Sequence, residues 1–147
     1  PNVRKFIEGQ KAKAHRYGVV SSMFGRKRRL YDINSDDRKL VSEAERQSVN
    51  AVIQSTASDF TLYASVNIHR ELLRLGGVVQ AKQVGTVHDS LIFYCKEEHL
   101  DEFCKLVRRV STDTTRPCTA FNFKFNIPLE VDIEFGDNWA ELEEWKE

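Results

Sequence analysis

The sequence predicts an α+β fold in which antiparallel strands are covered by long helices. Three observations carry this. Helical apolar periodicity fills the middle of the chain, two strand-like runs flank turn residues between 83 and 95, and apolar and acidic residues alternate from Leu129 to Phe135. Tight turns between strands favour antiparallel pairing, because parallel strands need long crossovers. The predicted order is α-β-β-α-β-β-α-β-α.

Val3, Phe6, Ile7, Ala14 and Tyr17 recur at helical spacing and predict a helix from Val3 to Tyr17. Its outer face is basic, with Arg4, Lys5, Lys11, Lys13 and Arg16, and Gly18 is placed to end it as a left-handed cap. Residues 19–24 predict a strand, Gly25 a turn, and the basic tract Arg26-Lys27-Arg28-Arg29 leads back out. Asn34-Ser35-Asp36-Asp37 has the chemistry of a polar loop. Ser42 and Glu45 stand at capping-box spacing and predict a helix from there to about Leu75. Its predicted core face includes Val49, Ile53, Ala57, Phe60 and Ala64, and Gly76-Gly77 stops it.

Residues 83–87 and 91–94 predict a hairpin with His88-Asp89-Ser90 between its strands. A second amphipathic helix follows from Glu98 to Val110, with Leu100, Phe103, Val107 and Val110 inward. Ser111 to Thr119, which contains Pro117, reads as a loop. Leu129, Val131, Ile133 and Phe135 alternate with Glu130, Asp132 and Glu134, as in a half-buried strand. Gly136-Asp137-Asn138-Trp139 then turns into a predicted short acidic helix.

The 147 residues suit one domain or part of a larger one. Hydrophobic residues are 41% and charged residues 30%, which is ordinary for a globular chain and does not suggest disorder. Lys plus Arg and Asp plus Glu number 22 each, so net charge is zero and any nucleic-acid role must rest on charge distribution. That distribution is uneven. Residues 1–30 are rich in Lys and Arg with one acid, Glu8, whereas residues 128–147 are rich in acids with one base, Lys146. Cys95, Cys104 and Cys118 are odd in number and lack metal-ligand spacing, so we expect reduced, buried thiols in a cytoplasmic protein. No apolar run approaches membrane-spanning length, and no membrane partner is expected. The chain opens on Pro1-Asn2 without an initiator Met, and a processed or truncated product is expected. His15, His69 and His99 have no ligand-like sequence partners and read as surface or helix residues.

Three features could carry chemistry. Asp89 in a tight turn is rigidly aimed, as a carboxylate must be to clamp a hard cation beside a reacting phosphate. Asp is also favoured in turns for local hydrogen bonding, and from the dipeptide alone that reading is the stronger. Arg46, Asn50 and Gln54, spaced by four, share one helix face. Their donors suit the acceptors that every base pair shows in the minor groove, although from the stripe alone a solvated helix face is the stronger reading. The basic tract can bind phosphates by charge, or can equally be a solvated run or a targeting-like patch.

Four segments, in order, resemble family A DNA polymerases, the bacterial polymerase I type, in a phage-like form. Residues 45–59 resemble the palm helix motif, Val87-His88-Asp89-Ser90 the third catalytic motif, Phe24-Gly25-Arg26-Lys27-Arg28-Arg29-Leu30 the Gly-Arg-Arg-Arg segment, and residues 128–139 the C-terminal strand with its Gly-x-x-Trp ending. The resemblance implies an antiparallel palm-type sheet with a catalytic β-hairpin, packed on long helices. It implies that residues 1–40 are the end of the fingers region with a basic hairpin and residues 41–147 the C-terminal palm. The implied activity is DNA-directed DNA polymerase: template-directed nucleotide addition to a primer 3′ end by two-metal phosphoryl transfer.

By the same resemblance Asp89 is one of two Mg2+-binding, catalytic aspartates and His88 touches the primer end. Arg46, Asn50 and Gln54 contact the minor groove of primer-template DNA, and Arg26, Arg28 and Arg29 lie near its phosphates. Deoxynucleoside triphosphates are the implied co-substrates. The sequence departs from the family pattern at Ser90, where Glu is common, and at Ser55, where Gly is common. The family's first catalytic motif, with the other metal-binding Asp, and its nucleotide-binding helix are expected upstream of Pro1. The chain alone is therefore expected not to polymerise DNA and to need an upstream polymerase segment. The alternative is a non-catalytic DNA-binding module that retains the palm fold.

Overall fold

The computed structural model describes residues 2–146. Its elements are helix α1 (Asn2–Tyr17), strands β1 (Val19–Ser21) and β2 (Lys27–Arg29), the long helix α2 (Arg38–Arg74), strands β3 (Ala81–Val87) and β4 (Ser90–Cys95), a 3-10 turn (Glu97–His99), helices α3 (Leu100–Ser111) and α4 (Thr115–Phe121), and strands β5 (Glu134–Phe135) and β6 (Glu143–Glu144). The α+β class holds. The single sheet does not: the described strands form three separate two-stranded antiparallel ladders, β1–β2, β3–β4 and β5–β6. Two-stranded ladders are marginal alone, so helices must cover them.

The chain divides into two compact units, Pro1–Asp59 and Phe60–Glu147. Helix α2 contributes its first part to one and its second part to the other.

In the first unit, α1 ends where expected. Gly18 adopts φ 64° and its N–H donates to the Ala14 carbonyl at 2.8 Å. Strand β1 pairs with β2 from Val19–Arg29 to Ser21–Lys27. Helix α2 starts four residues before the expected capping box. The Asp37 carboxylate caps it instead, accepting from the Lys39 N–H at 2.8 Å. Glu45 is drawn away to Lys11 and His15, so the Ser42–Glu45 box is not what begins the helix.

The buried face of α2 in this unit is also not the expected one. Ile53 is 56% exposed and Ala57 is exposed, while Ala44, Ser48, Ala51, Val52, Thr56 and Asp59 are buried. Small residues let α2 approach the cluster of Ala14, Val20, Leu30 and Ile33 closely. The buried hydroxyls are satisfied within the helix, with Ser48 Oγ donating to the Glu45 carbonyl and Thr56 Oγ1 to the Val52 carbonyl, both at 2.7 Å.

In the second unit, Gly76 and Gly77 end α2 at φ 59° and 93°. Ile68 of α2, Val79, and Phe103, Leu106, Val107 and Val110 of α3 form the core, and Leu91, Phe93, Cys95 and Ile133 pack against it. The stretch expected as a loop around Pro117 contains α4. Pro117 is its third residue, where its missing N–H would have no helical acceptor. The Asp113 carboxylate accepts from the N–H groups of Thr115 and Arg116 and starts the helix.

From Leu129 to Phe135 exposure alternates as expected, yet only Glu134–Phe135 is paired. Alternation reports a buried face; it does not supply a hydrogen-bonding neighbour. The expected acidic helix is instead strand β6. Gly136 permits the return, since a Cβ there would collide with the Glu141 carbonyl oxygen. Trp145 then seats on α3: its N–H donates to the Ile133 carbonyl at 2.8 Å, its indole N–H to Asp101 at 3.3 Å, and the Arg108 guanidinium lies 4.5 Å from its ring centroid. No helix among the described residues is long and apolar enough to cross a membrane.

Candidate functional site

Two surfaces hold the residues singled out from sequence, one in each unit. The first is the tip of the β3–β4 hairpin. Val87 pairs with Ser90, so His88 and Asp89 form a two-residue turn. His88 has φ 55°, a conformation usual for glycine in such turns. A non-glycine residue held there costs roughly 1–3 kcal/mol and persists only where its surroundings impose it.

The hairpin imposes it. Val84 is an extra residue between the Gln83–Phe93 and Gly85–Ile92 pairs, a β-bulge that re-aims the strands toward the tip. Below the bulge, Ser65 Oγ of α2 donates to Gln83 Oε1 at 2.8 Å, and the Phe93 ring stacks edge-on against Phe103 at 5.1 Å. The base of the hairpin is therefore fixed on α2 and α3 while its tip is exposed. The Asp89 carboxylate makes no hydrogen bond or ion pair to another described residue.

No group of three His, Cys, Asp or Glu side chains among the described residues is arranged to hold a metal ion. The donor chemistry of Asp89 still suits one: a hard carboxylate oxygen on a rigid turn, without a competing protein cation. Mg2+ is commonly held by one or two carboxylates together with substrate phosphates. Asp89 can supply one such ligand, and the set is incomplete without another.

The second surface is in the first unit. Arg46, Asn50 and Gln54 are exposed and share one face of α2. Arg46 Nε donates to Glu43 at 3.1 Å, a surface pair that leaves most of the guanidinium accessible. Lys27, Arg28 and Arg29 of β2 are exposed. Arg28 Nη2 donates to Gln47 Oε1 at 3.2 Å, which brings β2 to α2 at Gln47, three residues before Asn50. Arg26 differs. Its guanidinium pairs with the buried Asp59, Nε donating to Oδ1 at 2.8 Å and Nη2 to the same oxygen.

Sequence reasoning missed one polar cluster here. His15 Nδ1 meets Asn34 Oδ1 at 3.0 Å and Nε2 meets Glu45 Oε1 at 2.9 Å. The Asn34 amide also donates to the His15 carbonyl at 3.1 Å, which directs its oxygen toward the ring. Two acceptors facing both ring nitrogens favour the imidazolium. The hydrogen bonds to Glu45 and then Asn34 raise the His15 pKa above its ordinary 6.5, and those from His15 and Lys11 lower that of Glu45 below 4.5. Only the three-dimensional approach of α1 to α2 shows this. The cysteines are free, but only Cys104 is buried; burial pushes its thiol up to about 11 and leaves it unreactive. Cys95 and Cys118 are half-buried, not buried as expected.

Residues 1–141 match DNA polymerase family A. The chain is 32% identical over 142 residues to a DNA polymerase I from Chloroflexus aurantiacus, covering 97% of this chain and 14% of that protein. It is 35% identical over 114 residues to a DNA polymerase of Escherichia phage T5, covering 77% of this chain and 13% of that protein. It also aligns, with TM-score 0.74 and 28% identity, to the POL domain of Pol1 from M. smegmatis in complex with DNA primer-template and dNTP, covering 87% of this chain and 21% of that chain. A mixed α+β piece of a polymerase domain is the class these features define. The chain belongs to DNA polymerase family A. It spans about one-seventh of the length of the bacterial relative.

Proposed function

We propose that the chain is the C-terminal palm portion of a DNA-directed DNA polymerase that adds nucleotides to a primer 3′ end, with residues 1–40 closing the fingers region. The observation that carries this is the hairpin tip: in a family A member, a strained two-residue turn on a bulged, helix-backed hairpin presents an exposed, unpaired carboxylate. Asp89 would hold Mg2+ through its carboxylate oxygens. When bound, such an ion neutralises charge on the reacting phosphate and activates the attacking oxygen. A second carboxylate is required, and we assign it to a polymerase segment outside these residues.

His88, fixed one residue before Asp89, would orient the primer end. Arg46, Asn50 and Gln54 would donate to minor-groove acceptors common to all base pairs, holding the duplex without reading its sequence. Arg28 and Arg29 would meet template or primer phosphates. Arg26, given to Asp59, contributes less directly. The M. smegmatis structure, solved with primer-template and dNTP, supports DNA and deoxynucleoside triphosphates as the partners.

The test is reconstitution. The chain is joined to the preceding segment of a family A relative, and primer extension is followed with Mg2+. Extension that requires both pieces and is lost in Asp89→Ala is the expected result. Extension by the chain alone, or an active Asp89→Ala variant, contradicts the assignment.

A further inference from the structure

Asp59 has no part in the contacts proposed above, yet its side chain is only 9% exposed. A buried carboxylate is costly unless it is paired and hydrogen-bonded. Asp59 is both. Ser22 Oγ donates to Asp59 Oδ2 at 2.6 Å, and the Arg26 guanidinium donates to Oδ1. Ser22 Oγ also accepts from the Arg26 N–H at 3.2 Å, so one hydroxyl joins the turn backbone to the carboxylate.

The β1–β2 connection is tied at a second point. The Met23 N–H donates to Thr56 Oγ1 at 3.1 Å. Thr56 and Asp59 are three apart and lie on one face of α2. Within the turn, the Ser22 N–H donates to the Arg26 carbonyl at 2.9 Å and the Gly25 N–H to the Ser22 carbonyl at 3.0 Å. Strand β2 begins at the next residue, Lys27, and carries Arg28 and Arg29. Its position, with Arg28 against Gln47, follows from where this turn is held.

We infer that Asp59 is a positioning residue for DNA contact: with Ser22 and Arg26 it locks the β1–β2 turn onto α2, so that Arg28 and Arg29 stand in fixed register with the Asn50–Gln54 stripe and the two sets bind one duplex together. This rests on the proposed reading that this face of the chain meets duplex DNA. Arg26, whose side chain is itself 47% exposed, thereby serves Asp59 as its counter-ion, and Arg28 and Arg29 carry the phosphate contacts.

The test measures binding of the full chain to a primer-template duplex over a range of salt. Each lost phosphate contact lowers the slope of log affinity against log salt by about 0.9. Arg28→Gln and Arg29→Gln should each lower it by about one contact. Asp59→Asn should weaken binding and lower the slope by one to two contacts (about 0.9 to 1.8), because both arginines lose their register. In the Asp59→Asn background, Arg28→Gln should then lower the slope by clearly less than it does alone, although Asp59 and Arg28 share no hydrogen bond.

Circular dichroism checks that each variant is folded. Should Asp59→Asn not fold, Ser22→Ala is read by the same criteria, since it removes the bridging hydroxyl and leaves the ion pair. An unchanged slope in a folded Asp59→Asn or Ser22→Ala variant overturns the proposal, because Asp59 then serves the fold alone. Tighter binding by Asp59→Asn also overturns it, showing that Arg26 contacts phosphate and Asp59 competes for it. Silent Arg28→Gln and Arg29→Gln variants remove the DNA reading itself, and the positioning role with it.

Discussion

His88 shows how a single residue can be placed against its own preference. Its φ of 55° belongs to a glycine position, and the turn retains histidine there. Replacing it by glycine should relieve strain, and we expect His88→Gly to raise stability by up to about 1 kcal/mol in urea unfolding. The same variant should impair primer extension in the reconstituted polymerase; a stability loss without an effect on extension would make the histidine a fold residue. The dipeptide was legible in the sequence as a turn, but its strain was not, because backbone angles are not written in residue type.

The His15 cluster was not legible at all. Its partners stand 19 and 30 residues away, beyond the reach of any periodicity. The sign of its pH effect follows from the shifts. A raised His15 pKa adds stability that is full below 6.5 and lost as pH rises through the higher folded value. A lowered Glu45 pKa adds stability that is present above 4.5 and lost as pH falls through the lower folded value. The α1–α2 contact should therefore be strongest between about pH 4.5 and 6.5. Proton NMR should place the His15 pKa above 6.5, and Glu45→Gln should bring it down; a pKa at or below 6.5 would show that the ring is not held as an imidazolium.

At the scale of elements, α2 teaches the limit of reading apolar periodicity. The helix was legible over nearly its whole length, but its buried face in the first unit was not, whereas Ala64 in the second is buried as expected. Large apolar residues suggested the row through Ile53 and Ala57, whereas burial went to the neighbouring row of Ala, Ser and Thr. Close helix approach selects small side chains, and internal hydrogen bonds made the hydroxyls compatible with burial. The error left Arg46, Asn50 and Gln54 correctly exposed. Since they contribute little packing, Arg46→Ala and Gln54→Ala should change stability by no more than about 0.5 kcal/mol. Both should weaken duplex binding several-fold. A fall in melting temperature that accounts for the weaker binding would assign these side chains to the fold.

The strands repeat the lesson. The β3–β4 hairpin was legible because both its alternation and its turn lay in one short segment. Its bulge at Val84 went unread, although Gly85 beside it is the residue type that often marks one inside a strand. The alternation from Leu129 to Phe135 showed which side chains face inward but said nothing about pairing, and only two of those residues sit in a ladder. Trp145 emerged as the residue that seats the C-terminal segment on α3, while the motif-matching Trp139 is 72% exposed.

For the molecule as a whole, the uneven charge matters more than its zero sum. The basic residues near the start include β2, and the acidic segment near the end lies in the other unit, with Trp145 rather than its acids making the buried contact. The family was legible because four motifs occurred in order, and residues 1–141 do match family A. The complete metal site was not legible, because the motifs single out one carboxylate among these residues and two-metal chemistry needs more. The central claim is that Asp89 is that carboxylate. It is tested most directly by the single-turnover rate of nucleotide addition in the reconstituted polymerase, measured for the parent and for Asp89→Asn together with the Kd for primer-template. A rate fall on the order of a hundredfold or more is expected, with the Kd for DNA nearly unchanged. A preserved rate, or a rate loss wholly explained by lost DNA binding, would contradict it.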